Sequence, residues 1–232
     1  MERVDKSATG QRPADKSPLS RPVLGIFAKE PRPGQVKTRL CPPLSPTEAA
    51  GLYRACLEET VTAMRRGSFA LVIFYSGHKD YFSAAFAGLP LLPQAEGDLG
   101  RRMEQALRLL LGRGHPAAAL IGSDSPDLPL ARIEDAFALL QRTDCVTAPA
   151  DDGGYVLVGE RRHHPELFCD IPWSTPQVLA ATRSRAAELG IGYLELPPWD
   201  DVDDLASLSR LLQRSPGSTT AQFALAHLAH HL

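Results

Sequence analysis

The chain has 232 residues, 44% hydrophobic and 22% charged, with a formal net charge of -2. That length suits one large domain with an ample core, and the near-neutral charge gives no support for bulk nucleic-acid binding. The four cysteines, Cys41, Cys56, Cys145 and Cys169, are far apart and form no CxxC pair, which argues against a zinc ribbon or a disulfide framework.

Residues 1–20 are polar, rich in Ser, Pro and charge, and lack the apolar core of a secretory signal. They are expected to be a disordered leader, ahead of a single domain over 21–232. No run approaches the roughly 20 apolar residues of a membrane span. Reduced thiols and a cytoplasmic location are the simplest expectation.

Val23 to Phe27 reads as a first strand. It runs into FAKEPRPGQVKTRL, Phe27 to Leu40, a stretch with two prolines, a glycine and four cations: Lys29, Arg32, Lys37 and Arg39. Pro31, Pro33 and Gly34 exclude regular structure. A strand leading through a constrained cationic loop toward a helix is how α/β proteins hold phosphates. The bland explanation is a basic surface loop. GQVKT does not make a P-loop, because Val36 stands where that motif needs a glycine before its lysine.

Ser45-Pro46-Thr47-Glu48 predicts a helix start, with Ser45 as N-cap and Glu48 completing a capping box. Leu52, Cys56, Leu57, Thr60, Val61 and Met64 then recur at helical spacing toward Gly67. Phe69–Tyr75 is a strand apolar on both faces. A short amphipathic segment, Tyr81–Phe86, and a short strand, Leu89–Pro93, follow. Asp98 is placed to cap a helix with a stripe of Leu99, Met103, Ala106, Leu107, Leu110 and Leu111, stopped at Gly112 and Gly114.

Ala117–Gly122 is another buried strand, emptying into Ser123-Asp124-Ser125-Pro126-Asp127. A carboxylate leaving a strand end can help hold a divalent cation, and Asp124 comes first off the strand. Asp127 is read as a cap for a helix over Arg132–Leu140. Strands are expected at Asp144–Ala148 and Tyr155–Gly159. Between them lies Asp151-Asp152-Gly153-Gly154, readable as a hairpin turn or as a carboxylate pair beside a closely approached ligand.

Trp173, before Ser174 and Thr175, either stacks on a sugar or base or lies buried in front of a helix cap. That helix, capped by Ser174 or Thr175, runs from Pro176 to Leu189 and closes at Gly190. Tyr193–Leu196 is a strand. Trp199-Asp200-Asp201-Val202-Asp203-Asp204 gathers four carboxylates in five positions, more than capping of the next helix explains. That helix starts at Asp203 or Asp204 and runs through Leu212, and the tail from Ser218 is helical, with Ser218 or Thr219 as its cap. His163 and His164 are expected at the surface, and His227, His230 and His231 receive no role. Alternating strands and helices imply a mostly parallel sheet with helices on both faces.

The blocks FAKEPRPGQVKTRL, GDLGRRM, IGSDSPDLP, PADDGGYVLVG, IPWSTPQVL and LPPWDDVDDL carry a resemblance over about Val23 to Leu208. The chain resembles small bacterial glycosyltransferase-like proteins of the nucleotide-diphospho-sugar transferase superfamily, one branch of which is associated with arsenosugar biosynthesis. It is more distantly similar to 2-phospholactate guanylyltransferase and the molybdenum-cofactor guanylyltransferase. The resemblance implies a three-layer α/β sandwich of the glycosyltransferase A type.

It also implies a metal-dependent transferase that moves a glycosyl group from a nucleotide-sugar to a small acceptor. A nucleotidyltransferase releasing pyrophosphate, or a nucleotide-binding module without turnover, are the alternatives. Lys29, Lys37 and Arg39 are expected on the nucleotide phosphates, with Gly34, Thr38 and Asp98 in the same subsite. Mg2+ or Mn2+ is expected on Asp124, with Asp201 and Asp203. Asp151 and Asp152 are candidates to orient or deprotonate the acceptor. Gly153, Gly154, Tyr155, Trp173, Ser174 and Thr175 are placed in the acceptor half. A homodimer is allowed, and no nucleic-acid partner is expected. Relatives often continue the last block as Asp-Val-Asp-Thr-Pro-Glu-Asp-Leu, whereas here Asp203 is followed by Asp204-Leu205. Which aspartate reaches a metal therefore stays open at this point.

Overall fold

The structure is a computed structural model, and it describes residues 20–231. The expected leader lies almost wholly outside the described residues. Seven strands form one sheet: β1 (Val23–Lys29), β2 (Ala70–Ser76), β3 (Leu91–Pro93), β4 (Ala118–Ile121), β5 (Cys145–Pro149), β6 (Tyr155–Glu160) and β7 (Tyr193–Glu195). Their order is β3-β2-β1-β4-β6-β5-β7. All neighbours are parallel except those of β6, which runs antiparallel to β4 and β5. The hairpin turn expected at Asp151–Gly154 joins β5 to β6, closed by Ala150 N–H donating to Gly154 O at 3.0 Å. The sheet is thus mostly parallel, as its alternation with helices requires.

Among the described residues seven α-helices accompany it: α1 (Pro46–Met64), α2 (Lys79–Ala85), α3 (Leu99–Gly112), α4 (Leu130–Leu139), α5 (Val178–Glu188), α6 (Leu205–Arg214) and α7 (Thr219–His227). One face of the sheet presents Leu24, Ile26 and Ile73 to Leu57 and Val61 of α1, Phe82 of α2 and Ile133 of α4. The opposite face packs Val23, Val72 and Leu120 against Leu107 and Leu110 of α3, with Phe168 and Ala186. Alternation along β1 divides its residues between the two layers, as period-two geometry demands. A third cluster, with Leu52, Cys56, Leu208, Leu211 and Ala224, seats α6 and α7 on the outer side of α1.

The helix starts follow local chemistry. Ser45 and Glu48 form the expected capping box, and Asp98, Asp204 and Ser218 each accept from a backbone N–H of the following turn. Three expectations are corrected. Leu99 is 46% exposed, because the buried stripe of α3 begins at Gly100 and Met103. Asp127 does not cap α4, whose N-cap is Pro129 without a side-chain bond. Neither Ser174 nor Thr175 caps α5, which starts after Gln177; Thr175 Oγ1 accepts instead from the Gln177 N–H at 3.3 Å.

The chain reverses direction across the sheet between β1 and β4. After β1 it builds outward to β2 and β3, then returns to place β4 on the other side of β1. The carboxyl ends of β1 and β4 flank this switch point, where open α/β sheets bind ligands.

Candidate functional site

Three segments meet at the switch point. The first is the loop after Lys29, at the end of β1. Its turn has Pro33 in second place, Gly34 with φ +75° in third, and Gln35 N–H donating to Arg32 O at 3.1 Å. This is the pattern of a type II turn, which needs glycine at that place. Val36 is buried and anchors the loop. Lys37 takes a left-handed conformation with φ 49°, an uncommon and strained choice for a side-chain-bearing residue. A 3-10 turn over Thr38–Leu40 follows.

The second segment leaves β4 at Gly122-Ser123-Asp124-Ser125. The third is Asp201-Val202-Asp203, before α6, and Val202 N–H donates to Asp124 O at 2.8 Å to hold it alongside the second. Tyr53 of α1 braces the arrangement from below. Its hydroxyl accepts from Lys29 N–H at 2.8 Å and shares a hydrogen bond of 2.7 Å with Ser123 Oγ.

Lys37 stands at the centre. Its side chain is 2% exposed, and its ammonium pairs with Asp124 and, at 3.0 Å, with Asp203. Burial opposes the charge on Lys37, but Asp124 and then Asp203 overcome it, so the pKa lies above the ordinary lysine value. Those two carboxylates keep 37% and 41% of their side-chain surface open. Arg39 lies 3.6 Å from Asp203 and is 73% exposed. Asp201 is set deeper. It accepts from Ser125 Oγ at 2.6 Å, and burial, reinforced by Asp124, pushes its pKa up to about 7.

These groups border a cavity of about 550 Å³. Of the residues singled out in the sequence, Lys29, Lys37, Thr38, Arg39, Asp98, Asp124, Tyr155, Ser174, Asp201 and Asp203 line it. Asp98 also caps α3, accepting from Arg101 N–H at 2.8 Å. The wall includes residues the sequence reading did not single out: Tyr53, Gln94 and Arg102. A tyrosine on the apolar stripe of a helix was a legible signal, since a buried hydroxyl needs a partner. Gln94 gave none. Its amide donates to Ala28 O at 3.2 Å and Phe74 O at 3.0 Å, at the ends of β1 and β2.

Seven others lie outside the lining. Gly34 shapes the turn. Asp151 is exposed on the β5–β6 hairpin and hydrogen-bonded to Asp200, which raises its pKa above the ordinary carboxylate value. Asp152 Oδ1 accepts from Gly154 N–H at 2.9 Å, an Asx turn within the same hairpin. Gly153 has φ +85°, and a Cβ there would fall 2.1 Å from Pro176 O. Trp173 covers Gly100, stacks on Phe168 at 6.3 Å between ring centroids and meets Tyr155 edge-on at 6.5 Å. Thr175 Oγ1 donates to Pro172 O at 2.7 Å.

Three further groups have structural work. Arg32 leaves the cationic set to pair with Glu30 at 3.1 Å. Asp127 receives both a bidentate Arg214 contact, at 2.7 and 2.9 Å, and Ser215 Oγ at 2.7 Å. Asp200 accepts from Arg210 and Arg214 at 2.8 and 3.1 Å. Of the four aspartates at 200–204, then, Asp200 holds arginines, Asp204 caps α6, and Asp201 and Asp203 face the cavity.

The profile of the family described as "Uncharacterized protein conserved in bacteria (DUF2064)" matches residues 58–175, just over half of the chain. The chain belongs to this family. A solved structure from Desulfovibrio desulfuricans, provisionally assigned as a nucleotide-diphospho-sugar transferase, is 32% identical, covers 90% of this chain and 96% of its own, and superposes with a TM-score of 0.85.

2-Phospho-L-lactate guanylyltransferase of Methanothermobacter thermautotrophicus is 33% identical over 120 residues, 51% of this chain and 53% of its own. The chain thus matches about half the length of that curated relative. A Mycobacterium tuberculosis protein solved in complex with manganese shares the fold at a TM-score of 0.51 and 17% identity, covering 84% of this chain and 99% of its own. The fold is the nucleotide-diphospho-sugar transferase fold. Among the described residues no helix is long and apolar enough to cross a membrane.

Proposed function

We propose that the chain is a divalent-metal-dependent transferase acting on a nucleotide-activated substrate, moving a glycosyl group from a nucleotide-sugar to a small acceptor. The observation that carries this reading is the meeting of Lys37, Asp124 and Asp203 at the sheet's switch point, in a cavity large enough for a nucleotide. The 32% identity to a provisional sugar transferase over 90% of the chain supports it.

The donor set fits a hard cation. Asp124 and Asp203 are half-open carboxylates that already converge on one positive charge, the Lys37 ammonium, and oxygen ligands are what Mg2+ or Mn2+ prefers. Asp124 and Asp203 would hold the ion, with Asp201 behind them. When bound, the ion supplies neutralisation of charge on the departing diphosphate. The chain's own cations act on the same charge. Lys29 and Arg39, at the cavity wall, bind phosphate oxygens, and Lys37 adds a preorganised charge that water does not screen.

Thr38 and Asp98 lie on the nucleotide side, with Gly34 shaping the loop. Tyr155 and Ser174 line the acceptor side, backed by Trp173, Thr175, Gly153 and Gly154. Asp151 or Asp152 would take the acceptor proton only where the acceptor extends from the cavity onto the hairpin.

A second reading has its own support. The 33% identity to a guanylyltransferase favours nucleotidyl transfer, in which a phosphorylated acceptor attacks the α-phosphate of a nucleoside triphosphate. Incubation with a panel of nucleotide-sugars and nucleoside triphosphates separates the two. Release of nucleoside diphosphate supports glycosyl transfer. Release of pyrophosphate overturns it in favour of nucleotidyl transfer. Neither product from any donor counts against both.

A further inference from the structure

Among the described residues outside the cavity, one cluster of ligand-type side chains remains unexplained. Glu48, His230 and His231 bring one carboxylate oxygen and two imidazole nitrogens within 4.8 Å of one another. His230 Nε2 lies 3.2 Å and His231 Nε2 3.5 Å from the same atom, Glu48 Oε1. The two rings are 3.9 Å apart between centroids. We infer that these three residues form a second cation site, for a divalent transition-metal ion such as zinc, on the far side of α1 from the cavity.

The spacing suits that ligand. Zinc bonds of about 2.0–2.1 Å at tetrahedral angles put neighbouring donor atoms roughly 3.4 Å apart. The two nitrogen-to-oxygen separations fall on either side of that value. Two imidazole nitrogens and one carboxylate oxygen are also a donor set that zinc accepts, with solvent completing the fourth position. Hard cations such as Mg2+ prefer all-oxygen sites, so the cluster and the aspartates of the cavity differ in the ions they select.

Three features separate this cluster from a casual surface contact. The His231 Nε2 atom is shut away from solvent, and its 3.5 Å contact with Glu48 Oε1 is too long for a good hydrogen bond. A buried polar atom so weakly satisfied is costly, and a bound ion would bond it directly. Glu48 is already oriented: its other oxygen, Oε2, accepts from Ser45 N–H at 2.8 Å in the capping box. Such outer contacts fix the direction of a metal ligand. The backing is also firm. The segment carrying the histidines follows α7, whose Ala224 and Leu228 are buried with Leu52 and Cys56 of α1. The α7 N-terminus is tied to the same helix, with Thr219 and Thr220 N–H donating to Glu59 at 2.9 and 2.8 Å. His230 remains largely exposed and leaves an entry path.

The site would therefore clamp the segment after α7 to the start of α1. The test uses the untagged full chain, stripped of metal and titrated with Zn2+ by calorimetry in excess Mg2+, with Co2+ as an absorption probe. The expected result is one zinc equivalent, a rise in melting temperature with zinc, and cobalt bands of tetrahedral type. The double variant H230A/H231A should weaken zinc binding roughly tenfold or more. Glu48→Gln should do the same while keeping the cap, since glutamine also serves in a capping box. Asp124→Asn should leave zinc binding intact. Unchanged zinc affinity in the histidine double variant overturns the site. So does loss of the zinc in Asp124→Asn, which would place the ion in the cavity.

Discussion

The Tyr53 hydroxyl stands 2.7 Å from Ser123 Oγ, buried between the ends of β1 and β4. One helix side chain thus spans the two strand ends that define the crevice, because the same oxygen also accepts from Lys29 N–H. The width of the cavity floor is set by α1 and not by the loops alone. Burial, helped by nearby Asp124, keeps the phenol neutral by raising its pKa.

Tyr53→Phe should therefore act on both stability and function. It leaves the Lys29 N–H and the Ser123 hydroxyl without their shared partner, which costs about 1–3 kcal/mol. Urea unfolding checks the loss, and weaker nucleotide binding should accompany it. A variant as stable as the parent would mean that the strand ends hold themselves.

Lys37→Met should remove the charge that balances Asp124 and Asp203 while keeping most of the buried stem. The two carboxylates then lose their buried counter-charge, and nucleotide affinity should fall roughly tenfold to a hundredfold, as for a lost charged hydrogen bond. Calorimetry with a nucleoside diphosphate reads this directly. An unchanged affinity would make Lys37 a purely structural counter-ion.

A second buried ion group lies at the opposite end of the sheet. Glu160, fully buried at the end of β6, accepts from His163 Nδ1 at 3.0 Å, and Glu104 of α3 lies 3.0 Å from Nε2. Burial raises the Glu160 pKa above its ordinary 4.5. For His163 burial acts downward, but Glu160 and Glu104 outweigh it and raise the pKa above its ordinary 6.5. Both groups thus hold protons more firmly folded than unfolded, so stability falls as pH rises from each ordinary value through the raised one. His163→Ala should flatten the part of this slope above 6.5 and cost about 3–5 kcal/mol by stranding a buried carboxylate. Denaturant midpoints across pH test both statements.

Gly153→Ala probes the hairpin that places β6 between β4 and β5. With φ +85° and a new Cβ only 2.1 Å from the Pro176 carbonyl, the backbone must shift. A loss of about 1–3 kcal/mol is expected. Gly190→Ala, also at positive φ (+64°) but with open space around it, should cost less. Equal losses in the two variants would remove the steric part of this argument.

Much of the fold was legible because its signals are local. The caps at Ser45 and Asp98 need only the following three residues, those of α6 and α7 narrow to Asp203 or Asp204 and to Ser218 or Thr219, and strand periodicity needs only the strand. What the sequence did not show depends on distant partners. Asp127 reads as a helix cap until Arg214 and Ser215 arrive from 87 and 88 residues away. His163 reads as surface until Glu104, 59 residues earlier, closes over it. The antiparallel placement of β6 follows from a tight hairpin and not from the strand itself. The cationic loop was visible at once, but Lys37's pairing with Asp203 spans 166 residues, so the charge balance at its centre was not.

We propose that the Lys37–Asp124–Asp203 centre binds a nucleoside diphosphate together with a divalent ion. Calorimetric titration of the full chain with nucleoside diphosphates, with Mn2+ and then with EDTA, tests it most directly. At least one nucleotide should bind with Mn2+, and chelation or Asp124→Asn should weaken it by roughly tenfold or more. Binding that is equally strong in EDTA, or no binding of any diphosphate or triphosphate with Mn2+ present, would contradict it.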